Sequence, residues 1–391
     1  MKLLQFLIII IFILFPFGEL LRFDLGNSIA IRLLDFAVIT TAIVYLTLLV
    51  FKKMPFHYEK IRKFLPFPFI LILSFAFNMF WLTPTEFMAS IFYLIRWIAY
   101  AQLVFIVISF DSQFKNIIKK FLVVDGLIIL LFGFIQYFFY PSLKSLFYLG
   151  WDEHMYRMFS TFFDPNYAGA FFVLYLLFIA GEFFATKSTD KRKRAVLLGI
   201  IMITLLAVFL TFSRSALLML LVGVIIFLIM HNKKKLIFLL LGSIVAFSLI
   251  ISPWFYVENI NLFRETSSAA RIDNYNLSFR IIFDHPLLGV GFNTLRYVRE
   301  EYVTNQNWTN APSHADAGVD NSFLFVAVTT GLLGLVAYVS LWYFILKRAF
   351  TKRRAVIVSS VIGLFVSSLF VNSLFFPPLM LWLWIIIALL W

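Results

Sequence analysis

The sequence predicts an all-α polytopic membrane protein with about 12 transmembrane helices and one large extracytoplasmic loop. Hydrophobic residues make up 62% of the chain and its mean hydropathy is +0.94, whereas soluble domains contain roughly 45–50% apolar residues. The apolar residues fall in long runs without the period-2 alternation of barrel strands. The basic residues lie in short clusters between these runs, as expected where lysine and arginine set membrane orientation.

Twelve apolar runs are long enough to cross a hydrocarbon core about 30 Å thick. They lie at residues 3–17, 35–51, 67–83, 87–110, 120–141, 167–185, 196–212, 216–230, 235–252, 321–346, 355–372 and 376–391. No small-residue cleavage site follows the first run, so we expect an uncleaved span rather than a secretory signal. The chain therefore divides into nine spans over 1–252, a loop with an amphipathic helix over 253–320, and three spans over 321–391.

The distribution of lysine and arginine predicts the orientation of these spans. Lys2 and every second connection hold 22 of the 33 basic residues, and the intervening connections and spans hold the other 11. Short loops rich in lysine and arginine stay in the cytoplasm. We therefore expect both termini to be cytoplasmic and the segment 253–320 to face outward.

Composition also excludes several classes of function. The net charge of +13 is explained by the clusters between spans, so we expect no nucleic-acid partner. The chain has no cysteine, and it contains no Ser-His-Asp spacing, HExxH motif, P-loop or Cys/His cluster. We therefore expect no metal and no cofactor. Arginines together with one acid or imidazole suit group transfer from a diphosphate better than hydrolysis or redox chemistry.

The two sides of the membrane differ in their basic residues. The outward set contains a single lysine and consists of Arg22, Arg32, Arg96, Lys144, Arg157, Arg214, Arg264, Arg271, Arg280, Arg296 and Arg299. Arginine is a rigid fork that grips phosphate oxygens at two points, whereas lysine is a compact charge suited to anionic headgroups. The outward arginines thus predict phosphate recognition, or else salt bridges with the eight acidic residues of 253–320.

Four of these arginines are candidates for binding a substrate or supporting its site. Arg214 lies in a short break between the seventh and eighth runs, where it contacts either ordinary phospholipid or the phosphate of a lipid-linked substrate. Arg96 lies midway along the fourth run and should face the bundle interior, in a structural ion pair or a functional role. A helix predicted over about residues 267–284 carries Arg271 and Arg280 about 180° apart, so both cannot point at one site.

Asp320 and His314 are the two candidate general bases. Asp320 stands where the loop enters the tenth run, and partial desolvation there suits a proton acceptor. Its alternative role is the N-cap of the following helix, and the two roles are compatible. Asp164 and Asn166 flank Pro165 before the sixth run, where these residue types are expected to begin a helix.

Four sequence elements carry a resemblance to a known family. TFSRSALLML contains Arg214, AARIDNYNLSFRIIFDHPLLGVGFNT contains Arg271 before a helix and a Pro-Leu-x-Gly-x-Gly turn, DNSFLFVAVTTGLLG contains Asn321, Gly331 and Gly334, and FFDPNYAGAF contains a Pro-Asn-Tyr element. These elements resemble the bacterial O-antigen ligase and polymerase family, a branch of the multi-spanning glycosyltransferase C class. The likeness covers the second half of the chain, and the twelve-span topology agrees with it throughout.

The resemblance implies a glycosyltransferase C-like enzyme of the cytoplasmic (inner) membrane with its active site on the extracytoplasmic face. Its donor would be a glycan on undecaprenyl diphosphate, and its acceptor would be a sugar hydroxyl of a second lipid-linked unit of a surface polysaccharide. Arg214 and Arg271 would bind the diphosphate, with Arg280 as a further candidate, and the anomeric carbon would invert without a metal. Membrane lipids are expected contacts, and a flippase and a chain-length regulator are further partners that the resemblance allows.

One position departs from the family pattern. Where the ligases carry a histidine proposed as the catalytic base, this chain has Asp320. Either Asp320 takes that role, or His314 supplies it, or the acceptor differs. The change favours a polymerase over a ligase that transfers finished glycan to lipid A core or another acceptor. A flippase or other transporter is the alternative from another class, but transporters usually show paired repeats, and 1–185 and 196–391 show no convincing similarity.

Overall fold

The computed structural model describes residues 1–24, 30–54, 62–237, 266–303 and 318–390, and this part of the chain is mainly helical. Its α-helices are α1 (Lys2–Leu14), α2 (Leu33–Val50), α3 (Pro66–Asn78), α4 (Pro84–Ile108), α5 (Ser112–Phe139), α6 (Pro165–Ala185), α7 (Lys191–Leu210), α8 (Arg214–Met230), α9 (Thr266–Asp284), α10 (Leu295–Val303), α11 (Ser322–Thr351), α12 (Ala355–Ser368) and α13 (Pro377–Leu390). Strands β1 (Arg22–Asp24) and β2 (Ala30–Arg32) pair antiparallel between α1 and α2. The helix predicted over 267–284 is α9, and that prediction is confirmed.

Seven helices in the described ranges are long and apolar enough to cross a membrane. They are Lys2–Leu21, Leu33–Val50, Pro84–Ile108, Ser112–Phe139, Pro165–Ala185, Lys191–Leu210 and Ser322–Thr351. Four shorter apolar helices, Pro66–Trp81, Arg214–Met230, Ala355–Ser368 and Pro377–Leu390, coincide with further predicted runs. The run predicted at 235–252 lies almost wholly outside the described residues, so the total of twelve spans stays a prediction. These apolar helices indicate a multi-pass membrane protein.

Helix α13 lies in the interior of the bundle. Every residue from Pro377 to Ala388 is buried, which agrees with a helix that is apolar on all sides. The ring of Trp382 packs against Phe15 of the N-terminal helical segment and against Phe171 and Phe178 of α6, with centroids 6.2, 5.0 and 5.7 Å apart. Elements from both halves of the chain therefore share one core.

Small residues let α6, α8 and α12 approach closely. A Cβ at Gly363 of α12 would lie 3.2 Å from the Met219 carbonyl oxygen of α8, and a Cβ at Gly169 of α6 would lie 2.6 Å from the Cβ of Ala216. Close backbone packing replaces the hydrophobic driving force between helices in lipid. The contact between Gly169 and Ala216 sets the N-termini of α6 and α8 side by side.

Helix α11 is broken at Gly331, which has φ 66° and ψ −172°. At the break, the carbonyls of residues 328–329 accept hydrogen bonds of 3.0 Å from the amides of residues 290–291. On the other side, the Leu332 amide donates to the Pro286 carbonyl over 2.8 Å. The segment 286–291, which follows α9, therefore pairs with the α11 backbone on both sides of the break.

Helix α3 also binds the junction, by which we mean the paired backbones of α11 and the segment 286–291. The hydroxyl of Ser74 lies 2.6 Å from the Leu288 carbonyl oxygen and 2.7 Å from the Thr329 carbonyl oxygen, so its proton serves both acceptors. The Asn78 amide donates to the Gly289 carbonyl over 3.2 Å. These bonds fix α3, α11 and the segment 286–291 relative to one another.

Two glycines make the junction possible. Gly289 has φ 64°, and a Cβ there would lie 2.4 Å from the Val328 carbonyl oxygen. A Cβ at Gly331 would lie 2.2 Å from the Leu287 carbonyl group, and the conformation of Gly331 is accessible to glycine almost alone. The Pro-Leu-x-Gly-x-Gly element that follows α9 therefore packs directly against the α11 backbone.

We expect Gly331→Ala to destabilise the protein, because the new methyl group meets the Leu287 carbonyl and the backbone conformation costs a non-glycine residue about 1–3 kcal/mol. The matched control is Gly199→Ala in α7, where a Cβ meets nothing within 4 Å. The control should be neutral or slightly stabilising. Thermal denaturation followed by size-exclusion chromatography in detergent checks the pair, and equal melting temperatures for the two variants would contradict the role given to Gly331.

Candidate active site

A cavity of about 200 Å³ lies at the end of the bundle that the charge distribution predicts to face outward. Its charged and amide lining consists of Arg96, Asn293, Arg296, Asp320 and Asn372, and aromatic rings form most of the remaining wall. Asn293 and Arg296 follow directly on the segment 286–291. The pairing of that segment with α11 therefore brings them to the cavity beside the start of α11.

Asp320 lines the cavity, and its neighbour Asn321 caps α11. The Asn321 side-chain oxygen accepts from the amides of Phe323 and Leu324 at 2.8 and 3.1 Å. The alternative prediction that Asp320 is the N-cap is therefore wrong, because the extended backbone of Asn321 (φ −155°, ψ 119°) puts the cap one residue later. The carboxylate of Asp320 lies on the cavity wall instead.

Arg96 of α4 reaches the cavity from a buried position, with 6% of its surface exposed. Its guanidinium lies 2.8 Å from the Asp35 carboxylate and donates to the Ala30 carbonyl over 2.8 Å. It also stacks over the ring of Tyr93 at 4.4 Å. The prediction that Arg96 faces the bundle interior and finds a partner there is confirmed, and that partner is Asp35 at the start of α2.

A second buried ion pair supports the first. Arg32 at the end of β2 donates from Nε to Glu19 over 2.7 Å, and its Nη1 lies 3.8 Å from Asp35. Burial alone would lower the pKa of the Arg32 guanidinium, but the Glu19 and Asp35 carboxylates together raise it above its ordinary value. The Tyr100 hydroxyl donates to Asp35 over 2.8 Å. This network ties the β1–β2 hairpin to α2 and α4 and holds Arg96 on the cavity wall.

Arg214 is the first residue of α8 and does not line the cavity. Arg214 is nevertheless linked to the cavity through the residues next to it. Ser213 donates its hydroxyl to the Asn166 side-chain oxygen over 2.8 Å, and Tyr167, the next residue, lines the cavity. Asp164 caps α6 by accepting from the amides of Asn166 and Tyr167 at 2.6 and 3.2 Å, so the prediction of a helix start there is confirmed.

Arg157 supports the turn that carries Arg214. Its guanidinium is buried, with 3% of the residue exposed, and it donates to the Thr211 carbonyl over 2.9 Å and to the Phe212 carbonyl over 3.4 Å. Sequence reasoning placed Arg157 in the outward set without a role. Its neighbours Tyr156 and Met158 indicate nothing about its burial, so no local signal distinguishes it from an exposed loop arginine.

The remaining predicted residues lie elsewhere or outside the described part. Arg280 is exposed on α9 and does not line the cavity. Arg271 lies on α9, but its side chain is outside the described part, and His314 lies wholly outside the described residues. The structure therefore brings Asp320 and Arg96 to one cavity, together with Arg296, which sequence reasoning placed on the outward face without a role.

The fold and this cavity define a helical multi-pass membrane protein with a polar and aromatic cavity at one end. A family model described as O-antigen ligase matches residues 199–339, from α7 to the middle of α11. This match supports the O-antigen ligase and polymerase family, in agreement with the motif resemblance. A comparison with curated proteins found no match. The family suggests a glycosyltransferase-type enzyme and implies lipid-linked glycan substrates.

We expect Asp35→Asn to destabilise the protein by about 3–5 kcal/mol, because it leaves Arg96 and Arg32 with reduced charge compensation in a buried site. Asp24→Asn is the matched control, since the Asp24 side chain is 50% exposed and lies 3.8 Å from Arg22 at the hairpin edge. That change should cost well under about 1 kcal/mol. Thermal denaturation of the two purified variants compares them, and a control as unstable as Asp35→Asn would refute the network.

Proposed function

We propose that the protein is a membrane glycosyltransferase that polymerises undecaprenyl-diphosphate-linked oligosaccharide repeat units into a surface polysaccharide. The observation that carries this proposal is the position of Asp320, which leaves helix capping to Asn321 and lines a cavity walled by guanidinium groups and aromatic rings. The family match over 199–339 supports the class of enzyme. The active site faces outward from the cytoplasmic membrane, and both termini are cytoplasmic.

The transfer exchanges one bond to the anomeric carbon for another. The Asp320 carboxylate takes the proton of the attacking acceptor hydroxyl, and the hydroxyl oxygen bonds to the anomeric carbon of the donor. The bond from that carbon to the diphosphate oxygen breaks, and its electron pair leaves with undecaprenyl diphosphate. Attack from the side opposite the leaving group inverts the anomeric configuration.

In this proposal the leaving diphosphate lies at the membrane surface beside α8. Arg214 and Arg271 bind it in this proposal, and Arg280 is the further candidate. Arg214 suits this role because it stands at an outward helix start, next to the N-terminus of α6. Two neighbouring helix N-termini add partial positive charge that favours an anion. The contact from Ser213 to Asn166 and the adjacent Tyr167 place this surface next to the cavity of Asp320.

A ligase is the second candidate, because the family model that matches residues 199–339 is described as O-antigen ligase. A ligase moves a finished glycan onto lipid A core or another acceptor. Purified protein supplied with lipid-linked repeat units alone separates the two functions. A polymerase makes a ladder of products from these units, whereas a ligase needs a second kind of acceptor.

We expect Asp320→Asn to lower the rate of polymer formation by about 10²–10⁴-fold, the usual contribution of a general base. Asp320→His restores the His-Asn pair of the ligase pattern and should recover part of the activity, since imidazole also accepts a proton. The activity of Asp320→His should fall as the pH drops through the histidine pKa of about 6.5. Initial rates of ladder formation in proteoliposomes, measured against pH, check both variants.

Asp273→Asn on the exposed surface of α9 is the matched control for this pair, because it removes the same charge away from the cavity. It should leave the rate unchanged. Full activity of Asp320→Asn in protein that elutes normally would remove Asp320 from the mechanism.

Arg214→Ala should abolish polymer formation while leaving membrane insertion intact, because the diphosphate loses its principal cation. Arg214→Lys keeps the charge but not the fork, so we expect it to retain partial activity. Arg192→Ala is the control, since Arg192 is an exposed arginine in the first turn of α7, at the end predicted to be cytoplasmic. The readout is polymer on gels from a complemented strain, and normal polymer with Arg214→Ala would falsify the role of Arg214 in binding the diphosphate.

A further inference from the structure

Three residues that line the cavity each have one buried side-chain atom without a hydrogen-bond partner among the described residues. These atoms are the Arg296 Nε, the Asn293 Nδ2 and the Asn372 Oδ1. Asn293 is almost completely buried, with 6% of its surface exposed. A buried donor or acceptor left unpaired costs about 1–3 kcal/mol. The described part of the chain therefore leaves the hydrogen-bonding capacity of these three cavity residues unfilled.

The two arginines of the cavity differ in whether a nearby carboxylate neutralises them. Arg96 lies 2.8 Å from Asp35 and is neutralised by it. Within the described ranges, no ion pair of 4.0 Å or less joins Arg296 to a carboxylate, and its guanidinium lies 5.9 Å from the centroid of the Tyr93 ring. Buried or half-buried charges are normally paired. The cavity therefore holds the Arg296 guanidinium, which no described carboxylate approaches within 4.0 Å, although the carboxylate of Asp320 lies on the same wall.

The rest of the wall fits a sugar ring. Amide side chains such as Asn293 and Asn372 bind hydroxyl groups as donors and acceptors, and the aromatic side chains of Tyr93, Trp97 and Phe375 provide apolar faces. A cavity of about 150 Å³ holds one benzene ring, so a cavity of about 200 Å³ has room for one six-membered sugar ring.

We propose that this cavity binds a single pyranose ring of the substrate that carries a carboxylate, and that Arg296 binds this carboxylate while Asn293 and Asn372 bind ring hydroxyls. The inference rests on the proposed function, because it assigns the ring to the unit that reacts beside Asp320. A planar carboxylate matches the guanidinium fork in two parallel hydrogen bonds. The repeat unit of the polysaccharide would accordingly contain an acidic sugar.

The test is a binding comparison on purified full-length protein in detergent. The probes are methyl glucuronide, methyl glucoside and inorganic diphosphate, and saturation-transfer NMR reports their binding without turnover. We expect the wild type to bind the glucuronide at least about tenfold more tightly than the glucoside, and diphosphate to compete weakly. Arg296→Gln should abolish the preference for the glucuronide. Asn293→Ala should weaken the binding of both sugars several-fold.

Arg299→Gln is the matched control, because Arg299 lies on the same helix α10 and does not line the cavity. It should keep the preference for the glucuronide. Equal binding of the two sugars to the wild type would overturn the inference, as would retention of the preference by Arg296→Gln. Diphosphate binding that exceeds glucuronide binding and requires Arg296 would also overturn it, since Arg296 would then serve the leaving group.

Failure of the inference and failure of the proposed function remain distinguishable. Asp320→Asn should lose polymer formation and keep the preference for the glucuronide, because the carboxylate preference comes from Arg296. Normal polymer formation by Asp320→Asn would remove the proposed mechanism and leave the binding result standing. Loss of the preference in Arg296→Gln counts only for protein that elutes as the wild type does.

Discussion

The position of Asn293 and Arg296 on the cavity wall depends on how the backbone of the broken helix α11 is satisfied. In lipid, an unpaired backbone group costs several kcal/mol, and the break at Gly331 interrupts the hydrogen bonds of a helix that is long and apolar enough to cross a membrane. The segment 286–291 supplies partners for the backbone groups at the break through its own amides and carbonyls. Because this segment is held there, Asn293 and Arg296 come next to the start of α11. This backbone pairing thus brings two of the polar side chains of the cavity next to Asp320.

The arginines divide by the partners that the fold provides. Arg96 and Arg157 are both buried, and each is occupied by acceptors of the protein, Asp35 and Ala30 for the first and the Thr211 and Phe212 carbonyls for the second. These two arginines therefore stabilise the fold, although Arg96 also lines the cavity. Arg296 contacts the same cavity without a carboxylate partner in the described part of the chain. The same residue type therefore has a structural role at two positions and remains available for a ligand at the third.

Much of the fold follows from the sequence because its signals are long or local. Apolar runs predict eleven of the described helices, and Asp164 and Pro165 predict the start of α6 through well-known capping preferences. The cap of α11 was beyond this reasoning, since Asp320 and Asn321 are adjacent and cap equally well. The sequence around Gly331 does not predict a break either, because glycine is common inside membrane helices. Its partner segment lies some 40 residues earlier, and only the folded chain brings the two together.

The same distinction explains why the site itself could be predicted only in part. Asp320 and Arg96 stand out by their position at or within a span, where a charge is costly and needs a reason. Arg296 lies on a polar helix with a second arginine three residues later, and nothing in that local pattern separates the two. What separates them is a cavity built from α4, α10, α11 and the connection before α13. In the proposed assignment one sugar ring occupies this cavity and the cations that bind the diphosphate lie outside it. The position of Arg214, beside the cavity and not within it, agrees with this division between sugar and diphosphate.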